Sequence, residues 1–395
     1  MIDSKMILQF AENIKEDMIR DRRILHKNPE VGQSLPQTTA YVMGRLSAMD
    51  YEPVEICESG IVATIEGKTP GRCILLRADM DALPMQEKTN LSFQSNQGSM
   101  HACGHDMHTS MLLGAARLFK EFQQELKGTI KLVFQPNEEG LTGAKEMIHA
   151  GVLQSPKVDG AMSIHVHAGT PSGHVVCGRG TFMAGCTRFR IHISGKACHG
   201  SMPETGRDPI YVAAHIELAL QEIVTKELAA QNPVVISVGK LSGGSSPNQI
   251  PDEAILEGTI RSFDESISAF VLKRITEISH CMAEGFRVKA SVKTLSFAPP
   301  MVNDTTVTEK MSRTVSQLLG QNKITLLDQG GMGSDDFSFY SRYVPCTYFL
   351  LGAGVQEENP QFGGVMHSET VIFNEDILPL GAALYTFCSL MWLIQ

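Results

Sequence analysis

Eight consecutive residues, 101–108, carry the types of side chain that bind divalent metal ions. They read His-Ala-Cys-Gly-His-Asp-Met-His, which supplies three imidazoles, one thiol and one carboxylate. Neutral imidazole nitrogen, thiolate sulfur and carboxylate oxygen are the usual protein ligands of zinc and related ions. A loop of solvated histidines is the alternative for this octet alone. The acids and histidines that occur elsewhere in the chain favour a metal site.

More of these residues follow short apolar segments that we predict as strands. They are Asp79, Asp81, Glu138, Glu139, His165 and His167, and His367 comes after a Gly-rich loop. Taken singly, a pair of glutamates is most often a solvated turn, and a pair of histidines is most often structural. Open α/β sheets place their active sites beyond the carboxyl ends of the strands. The repeated placement therefore predicts one shared site.

The elements that must position these residues alternate between strand and helix patterns. Residues 7–25 and 111–119 have apolar side chains at helical spacing. The continuous apolar runs that we predict as strands are 61–65, 73–76, 130–134 and 161–164. Such runs between helices are typical of a mainly parallel sheet that is covered on both faces. The sequence therefore predicts an α/β fold.

The middle of the chain follows a different pattern. We predict strands at 189–194, 234–238, 254–260 and 288–295, with helices at 208–226 and 265–283. The resulting order, β-α-β-β-α-β, is that of a ferredoxin-like α+β unit. We therefore predict a catalytic domain of residues 1–183 and 298–395, and a ferredoxin-like domain of residues 184–297 inserted into it.

Composition and charge limit the classes of function. The formal net charge of −9 argues against a nucleic-acid partner, because phosphates require a basic surface. The nine cysteines form no CxxC pair, and the chain starts without a signal-peptide pattern, which favours a reducing compartment, the cytoplasm. Residues 377–394 approach the length of a membrane span, but Pro379 and Gly381 interrupt their start. We expect a buried helix there and no membrane partner.

Seven motifs in order make the chain similar to a known family. They are Arg-Ala-Asp-Met-Asp-Ala-Leu-Pro at 77–84, Cys-Gly-His-Asp-Met-His at 103–108, Gln-Pro-Asn-Glu-Glu-Gly at 135–140, Gly-Lys-Ala-Cys-His-Gly at 195–200, Pro-Asn-Gln-Ile-Pro-Asp at 247–252, Glu-Gly-Thr-Ile-Arg-Ser-Phe at 257–263 and Met-Gly-Ser-Asp-Asp-Phe at 332–337. The chain resembles the dinuclear-metal aminoacylase/carboxypeptidase superfamily. Within it, the chain resembles the amidohydrolase branch of hippurate hydrolases, N-acetyl-diaminopimelate deacetylases and auxin-conjugate hydrolases. The resemblance covers essentially the whole chain.

The resemblance implies two divalent metal ions per subunit. The implied ligands are Cys103, His105, Glu139, His165 and His367, with the Cys103 thiolate bridging both ions. These ligand types suit zinc or manganese, and they also accept cobalt or nickel. Most of the superfamily has His-x-Asp after the first strand, with that histidine on a metal. Here Asp79-Met80-Asp81 stands in its place, as in the amidohydrolase branch, which favours His105 over Asp79 as a ligand.

The resemblance also implies catalytic roles near the metals. Glu138 matches the general base, which takes a proton from the attacking water and passes it to the leaving amine. Asp81 matches the acid that orients a metal-binding histidine. His101, His108 and His167 stay open between ligand and structural roles.

Three residues of the predicted insert match the family's substrate-binding positions. His199 matches a histidine that stabilises the oxyanion, often in the active site of the partner subunit. Asn248 and Arg261 match residues that hold the substrate carboxylate, for which the planar guanidinium of arginine is suited. On the residues alone, the favoured interpretation of Arg261 is a solvated charge at a strand edge, and that of Asn248 is a turn former before Pro251.

The expected function is metal-dependent hydrolysis of the amide bond in a small N-acyl amino acid, carrying an acetyl or an aromatic acyl group. A dipeptidase or carboxypeptidase of the same superfamily is one alternative. A metal-binding scaffold without catalysis is another, although it would not need Glu138. We further expect a homodimer or a higher homo-oligomer that assembles through the insert. The sequence does not specify the acyl group, the amino acid or the native metal.

Overall fold

The computed structural model describes residues 3–394 of the chain. Its α-helices are α1 (Ser4–Asn13), α2 (Lys15–Lys27), α3 (Pro36–Ser47), α4 (His105–Glu121), α5 (Gly143–His149), α6 (Pro209–Glu222), α7 (Glu265–Gly285), α8 (Thr305–Leu319) and α9 (Leu378–Leu393). Its strands are β1 (Val54–Cys57), β2 (Gly60–Glu66), β3 (Thr69–Asp79), β4 (Lys127–Gln135), β5 (Gly160–His167), β6 (Val175–Gly178), β7 (Gly180–Met183), β8 (Gly185–Ser194), β9 (Cys198–His199), β10 (Val234–Gly243), β11 (Gln249–Ile250), β12 (Glu253–Ser262), β13 (Lys289–Ala298), β14 (Met301–Asn303), β15 (Ile324–Leu327) and β16 (Cys346–Gly352).

The chain divides into two compact units. The large unit holds the chain up to Phe182, Val302–Gly330 and the chain from Asp336 onward. The small unit holds Met183–Met301 and Gly331–Asp335.

A mixed eight-stranded sheet forms the centre of the large unit, in the order β1-β2-β4-β3-β5-β16-β6-β15. Its middle strands β4, β3, β5 and β16 run parallel to one another. Antiparallel pairing occurs at β1–β2, β2–β4 and β16–β6. The middle strands are almost wholly buried, as the continuous apolar runs predict. This sheet confirms the predicted α/β class.

Helices α4 and α9 form much of the core against this sheet. Nearly every residue of either helix is buried, which explains why neither sequence has a clear polar face. The segment Glu375–Leu393 is long and apolar enough to cross a membrane by length and composition alone. However, 83% of its most apolar window is buried within the protein, as in a core helix.

The small unit has the predicted β-α-β-β-α-β order, formed by β8, α6, β10, β12, α7 and β13. Its sheet is antiparallel throughout, with the strand order β10-β12-β8-β13 of a ferredoxin-like fold. Phe189, Ile216 and Val271 lie in the separate hydrophobic core of this unit. The predicted fold class, with its ferredoxin-like insert, is thus confirmed.

Among the elements that were predicted, the main differences lie at their boundaries. The periodic segment 7–25 forms two helices, because the chain leaves helical geometry at Ile14 between α1 and α2. Helix α6 ends at Glu222, and residues 223–227 continue it as one π-helical turn. Neither change moves a residue of the candidate site.

Candidate metal centre and active site

The parallel strands deliver the candidate ligands to one edge of the large unit. Strand β3 ends at Asp79, β4 ends at Gln135 just before the Glu138-Glu139 pair, and β5 contains His165 near its end at His167. Because these strands are parallel neighbours, their carboxyl ends lie at the same edge of the sheet.

The two candidate ligands that belong to the octet 101–108 are Cys103 and His105, and they lie where a loop enters α4. Gly104 precedes the helix with φ +84°, in the left-handed region that glycine adopts without strain. A Cβ atom at this position would lie 2.4 Å from Cγ2 of Val166, which is closer than van der Waals contact allows. Glycine therefore lets the loop pass close to β5, with Cys103 and His105 on either side of it.

Two candidate histidines are locked in one tautomer by backbone carbonyls. Nδ1 of His105 donates to the carbonyl oxygen of Asp81 at 2.7 Å, and Nδ1 of His165 donates to that of Val166 at 2.6 Å. A carbonyl oxygen can only accept, so the lone pair of each ring, in its neutral form, lies on Nε2. This arrangement is typical of histidines that bind metal through Nε2.

Two imidazoles, those of His165 and His367, lie beside the Cys103 thiol. Nε2 of His165 lies 3.4 Å from Sγ of Cys103, and Nε2 of His367 lies 3.2 Å from the same sulfur. His367 Nε2 is also 3.2 Å from a carboxylate oxygen of Glu139. Ligand atoms of Cys103, Glu139 and His367 lie within 4.8 Å of one another, and so do those of His105, Glu138 and Glu139. The structure thus brings all five predicted ligands together.

His367 reaches this cluster from a distant loop. Its backbone N–H donates to the carbonyl of Ala102 at 3.1 Å, which ties the loop to the metal octet. Its φ of +64° is uncommon for a residue other than glycine. Such backbone strain is often found where a side chain must be aimed at a functional site.

Asp81 positions the two glutamates as well as a histidine. Its carboxylate accepts the backbone N–H of Glu138 at 2.9 Å and that of Glu139 at 3.1 Å. The same carboxylate lies 3.6 Å from Nδ1 of His105. Asp81 therefore connects β3, the acidic turn and α4, which is a broader role than the histidine orientation implied by the sequence.

The carboxylates around the cluster favour a bound cation. Burial lowers the pKa of His105, but the carboxylates of Asp79 and Asp81 outweigh burial and raise this pKa to about 10. The buried Nε2 of His105 makes no hydrogen bond within the described part of the chain. These carboxylates favour a positive charge at Nε2, and a divalent ion that replaces the proton there would supply that charge and give the nitrogen a partner. The donor set of thiol, imidazole and carboxylate fits zinc and neighbouring transition metals.

His108, which the sequence left open, has both ring nitrogens engaged. Nε2 accepts the backbone N–H of Val166 at 2.8 Å, so Nδ1 carries the proton and donates to Asp79 at 2.5 Å. Asp79 in turn pairs with Arg77 at 2.6 Å. Burial raises the pKa of Asp79, but Arg77 and His105 outweigh it and hold this pKa well below its usual range. These contacts favour structural roles for His108 and Asp79.

The other two open histidines differ from each other. His167 is half-buried, and its Nδ1 pairs with the hydroxyl of Thr170 at 2.9 Å. His101 is buried, and neither of its ring nitrogens has a hydrogen-bond partner among residues 3–394. Burial lowers the pKa of His101 to about 3, so the ring is neutral at physiological pH.

In the small unit, His199 lies on the two-residue strand β9, which pairs with β11. Nδ1 of His199 accepts the backbone N–H of Ser201 at 3.2 Å and lies 2.8 Å from the Ser201 hydroxyl. The neutral ring then carries its proton on Nε2, which is available as a hydrogen-bond donor. Asn248 lies on the adjoining loop, where its backbone carbonyl accepts the backbone N–H of Gly200 at 2.8 Å.

Arg261 lies on β12 and holds a short segment of its own unit. One guanidinium nitrogen donates to the carbonyl of Met332 at 2.9 Å and lies 3.4 Å from the hydroxyl of Ser334. The solvated strand edge, which was the alternative for this residue, is therefore not what the structure has. These contacts leave other guanidinium N–H groups of Arg261 for a carboxylate.

Two buried networks of the large unit escaped the sequence analysis. In one, Arg77 and Gln135 both contact Asp336, at 3.0 Å and 2.7 Å respectively. In the other, Arg22 and His26 of α2 both contact Asp106. For the second, the sequence holds a partial signal: Arg22 and His26 follow Met18 at four-residue spacing, which places them on the buried side of α2 but does not identify their partner.

Comparisons with known proteins place these features in a family. The sequence model described as peptidase family M20/M25/M40 matches residues 75–388. N-acetyl-L-cysteine deacetylase of Bacillus subtilis is 37% identical over 343 residues, which are 86% of this chain and 81% of that protein. Thermostable carboxypeptidase 1 of Saccharolobus solfataricus is 35% identical, over 94% of each chain. The crystal structure of the Bacillus subtilis YXEP protein, described as a dinuclear metal binding peptidase from the M20 family, has a TM-score of 0.78 and 30% identity, over 97% of this chain and 99% of that one.

Proposed function

Because this chain belongs to peptidase family M20/M25/M40, we propose that it is a metal-dependent amidohydrolase that releases amino acids from their N-acyl derivatives. The observation that carries the proposal is the convergence of Cys103, His105, Glu139, His165 and His367, with Glu138 beside them. A similar deacetylase of N-acetyl-L-cysteine supports the N-acyl substrate class.

These five residues would hold two divalent ions, and the Cys103 thiolate would be the ligand that both ions share. Zinc or manganese fits the donor set best, with cobalt or nickel as alternatives. When bound, the ions lower the pKa of a water molecule and polarise the scissile carbonyl. The protein contributes the geometry, since His105 and His165 already direct Nε2 toward the cluster.

Glu138 is the proposed general base. It is almost fully buried, and one of its oxygens lies 3.9 Å from Nε2 of His105. Its backbone is fixed by Asp81, so the carboxylate is held beside the ligands. In this role Glu138 takes the proton of the attacking water and then gives it to the leaving amine, so the base ends each cycle as it began.

The small unit supplies the remaining groups in this proposal. Nε2–H of His199 donates to the oxyanion that develops on the substrate carbonyl, in the active site of the partner subunit of a homodimer. Arg261 and Asn248 bind the carboxylate of the amino acid product. We propose that the insert, residues 184–297, is a dimerisation and lid domain.

We further propose that the enzyme works in the cytoplasm. Its partner would be a small-molecule substrate, without nucleic-acid or membrane partners.

A dipeptidase or carboxypeptidase is the second candidate, because a thermostable carboxypeptidase is also similar to the chain. The test is to reconstitute the metal-free protein with zinc or manganese and to measure kcat/KM for N-acetyl-methionine, hippurate and a dipeptide in parallel. The proposal expects turnover of at least one N-acyl amino acid to exceed that of the dipeptide. Preference for the dipeptide would favour the second candidate. Two bound ions without turnover of any substrate in a wider panel would favour a scaffold.

A further inference from the structure

Helix α2 contacts the metal-binding octet on both sides of its ligands. After His105, the carboxylate of Asp106 accepts Nε of Arg22 at 2.7 Å and lies 2.8 Å from Nδ1 of His26. Before Cys103, the His101 ring lies 6.3 Å from the His26 ring, centroid to centroid. The two ligands of the octet therefore lie between Asp106, which α2 binds, and His101, whose ring lies near that of His26.

The contacts to α2 are buried and charged. Arg22, His26 and Asp106 are each at most 1% exposed. The guanidinium of Arg22 holds the pKa of Asp106 well below its usual range, although burial alone would raise it. A buried ion pair with good geometry is costly to break, because the remaining partner is left as an uncompensated charge. Such a pair fixes the position of the residues that carry it more firmly than a surface pair would.

The network extends from α2 to two other segments. His26 Nε2 lies 3.1 Å from a carboxylate oxygen of Glu87, in the loop that leads to the octet. Arg22 donates to Glu375, just before α9, at 2.9 Å. No side chain caps the N-terminus of α4, where Gly104 is the capping residue. The first turn of this helix is therefore held in position by tertiary contacts such as the one between Asp106 and Arg22.

We propose that Arg22, His26 and Asp106 form a positioning network for the metal ligands Cys103 and His105. Among residues 3–394, none of the three hydrogen-bonds to a side chain of a proposed metal ligand. The network acts by holding the octet and the first turn of α4, so its loss should weaken metal binding. This inference rests on the proposed metal centre. It adds that metal affinity depends on α2, which contributes no ligand.

The sharpest test uses two replacements at one position. In His26→Asn, the side-chain amide can occupy the place of Nδ1 and keep the contact with Asp106, while the contact with Glu87 is lost. In His26→Gln, the amide reaches the place of Nε2 and keeps Glu87, while the contact with Asp106 is lost. Loss of a group that hydrogen-bonds to a metal ligand typically costs about 10- to 100-fold in metal affinity. Because this network holds residues beside the ligands, we take the lower end of that range. We expect such a loss for His26→Gln and a much smaller one for His26→Asn.

A second pair controls for stability. Asp21 lies on the same helix and is also buried, and it accepts the hydroxyl of Tyr41 at 2.6 Å and a guanidinium nitrogen of Arg45 at 3.0 Å. Asp106→Asn and Asp21→Asn thus each remove a buried carboxylate that is paired with arginine. Only Asp106→Asn should weaken zinc binding, measured by competition with a chromogenic chelator on protein whose fold is verified by circular dichroism.

The outcomes separate this inference from the proposed function. Failure of the unmodified protein to bind two zinc ions would overturn the proposed metal centre itself. If the unmodified protein binds two ions and His26→Gln binds them as tightly as His26→Asn, the positioning network is wrong while the centre stands. If Asp106→Asn does not fold, the His26 pair decides alone. Equal loss of zinc affinity in Asp21→Asn and Asp106→Asn would show a general effect of stability and would also overturn the network.

Discussion

The metal cluster of the large unit and the His199 loop of the small unit hold their histidines in different ways. His105 and His165 are held by backbone carbonyls at the ends of core elements, and His105 is fully buried. His199 is exposed, and it lies on a two-residue strand with a neighbouring serine as its partner. The first arrangement suits ligands that must keep a fixed geometry around an ion. The second suits a hydrogen-bond donor that contacts the substrate only after the substrate has bound.

This comparison predicts that metal binding depends on the large unit alone, whereas turnover depends on both. Variants of the two regions should therefore separate metal content from catalytic rate.

Replacing Cys103 with Ala should abolish activity and lower the metal content. The thiol lies within 3.4 Å of His165 Nε2 and within 3.2 Å of His367 Nε2, so its loss removes the proposed bridge. Elemental analysis and an amidohydrolase assay measure both effects. Cys177→Ala is the control, since Cys177 is also buried in the large unit but pairs with Ser312. Full activity with two ions retained in Cys103→Ala would rule out the bridge.

Replacing Glu138 with Gln should leave the metal content unchanged and lower kcat by about a hundred- to ten-thousand-fold, the usual contribution of a general base. The amide keeps the size of the side chain but cannot accept the proton of the attacking water. Glu139→Gln is the matched control and should lose metal instead. If the two variants behaved the other way round, the roles of the neighbouring glutamates would have to be exchanged.

Replacing His199 with Ala should lower kcat by roughly a hundred- to a thousand-fold, because loss of one oxyanion donor has an effect of that size. The metal content should not change. His192→Ala is the control, since His192 is another histidine of the small unit and pairs with Glu253 at 3.0 Å. A change of metal content in His199→Ala would contradict the separation of the two regions.

Mixing His199→Ala with Glu138→Gln tests whether His199 acts across subunits. After subunit exchange, a hybrid dimer would contain one active site with both groups intact. We therefore expect activity to reappear in the mixture. If hybrids form but remain inactive, His199 acts within its own chain or has no part in catalysis.

The smallest effect is expected from Gly104→Ala, which concerns the rigidity of the cluster. Alanine in the left-handed region costs about 1–2 kcal/mol, and its Cβ would also meet Val166 at 2.4 Å. Gly98→Ala is the control, since Gly98 has φ +73° but no atom within 4 Å of an added Cβ. Chemical denaturation should therefore show a larger loss of unfolding free energy for Gly104→Ala. Equal losses would mean that the loop has room to move.

The sequence predicted the buried parallel strands well, because a strand covered on both faces leaves a continuous apolar run. Residues 130–134 and 161–164 fall within β4 and β5 as expected. Edge strands such as β15 have mostly exposed side chains and short lengths, so no pattern predicted them. The split between α1 and α2 at Ile14 was missed for a related reason, since the apolar spacing continues across the break.

A metal site could be predicted from the sequence because these residue types are unusual together, whereas the particular set of five ligands came from the family resemblance. The contacts that hold these ligands in place could not be predicted from the sequence. The bond from His108 to the backbone of Val166 joins a helix to a strand 58 residues further along the chain, and no local pattern records such a pairing. The same holds for Arg22 and Asp106, which are 84 residues apart. Long-range contacts between buried polar groups depend on the packed fold.

The central claim is that the cluster around Cys103 binds two divalent ions on which amide hydrolysis depends. The most direct measurement strips the protein of metal, titrates zinc or manganese back, and follows both the bound metal and the hydrolysis of a substrate identified in the N-acyl amino acid panel. The account predicts no activity in the metal-free protein and full recovery at two equivalents per chain. Undiminished hydrolysis by the metal-free protein, or saturation of the unmodified chain at a single ion, would contradict it.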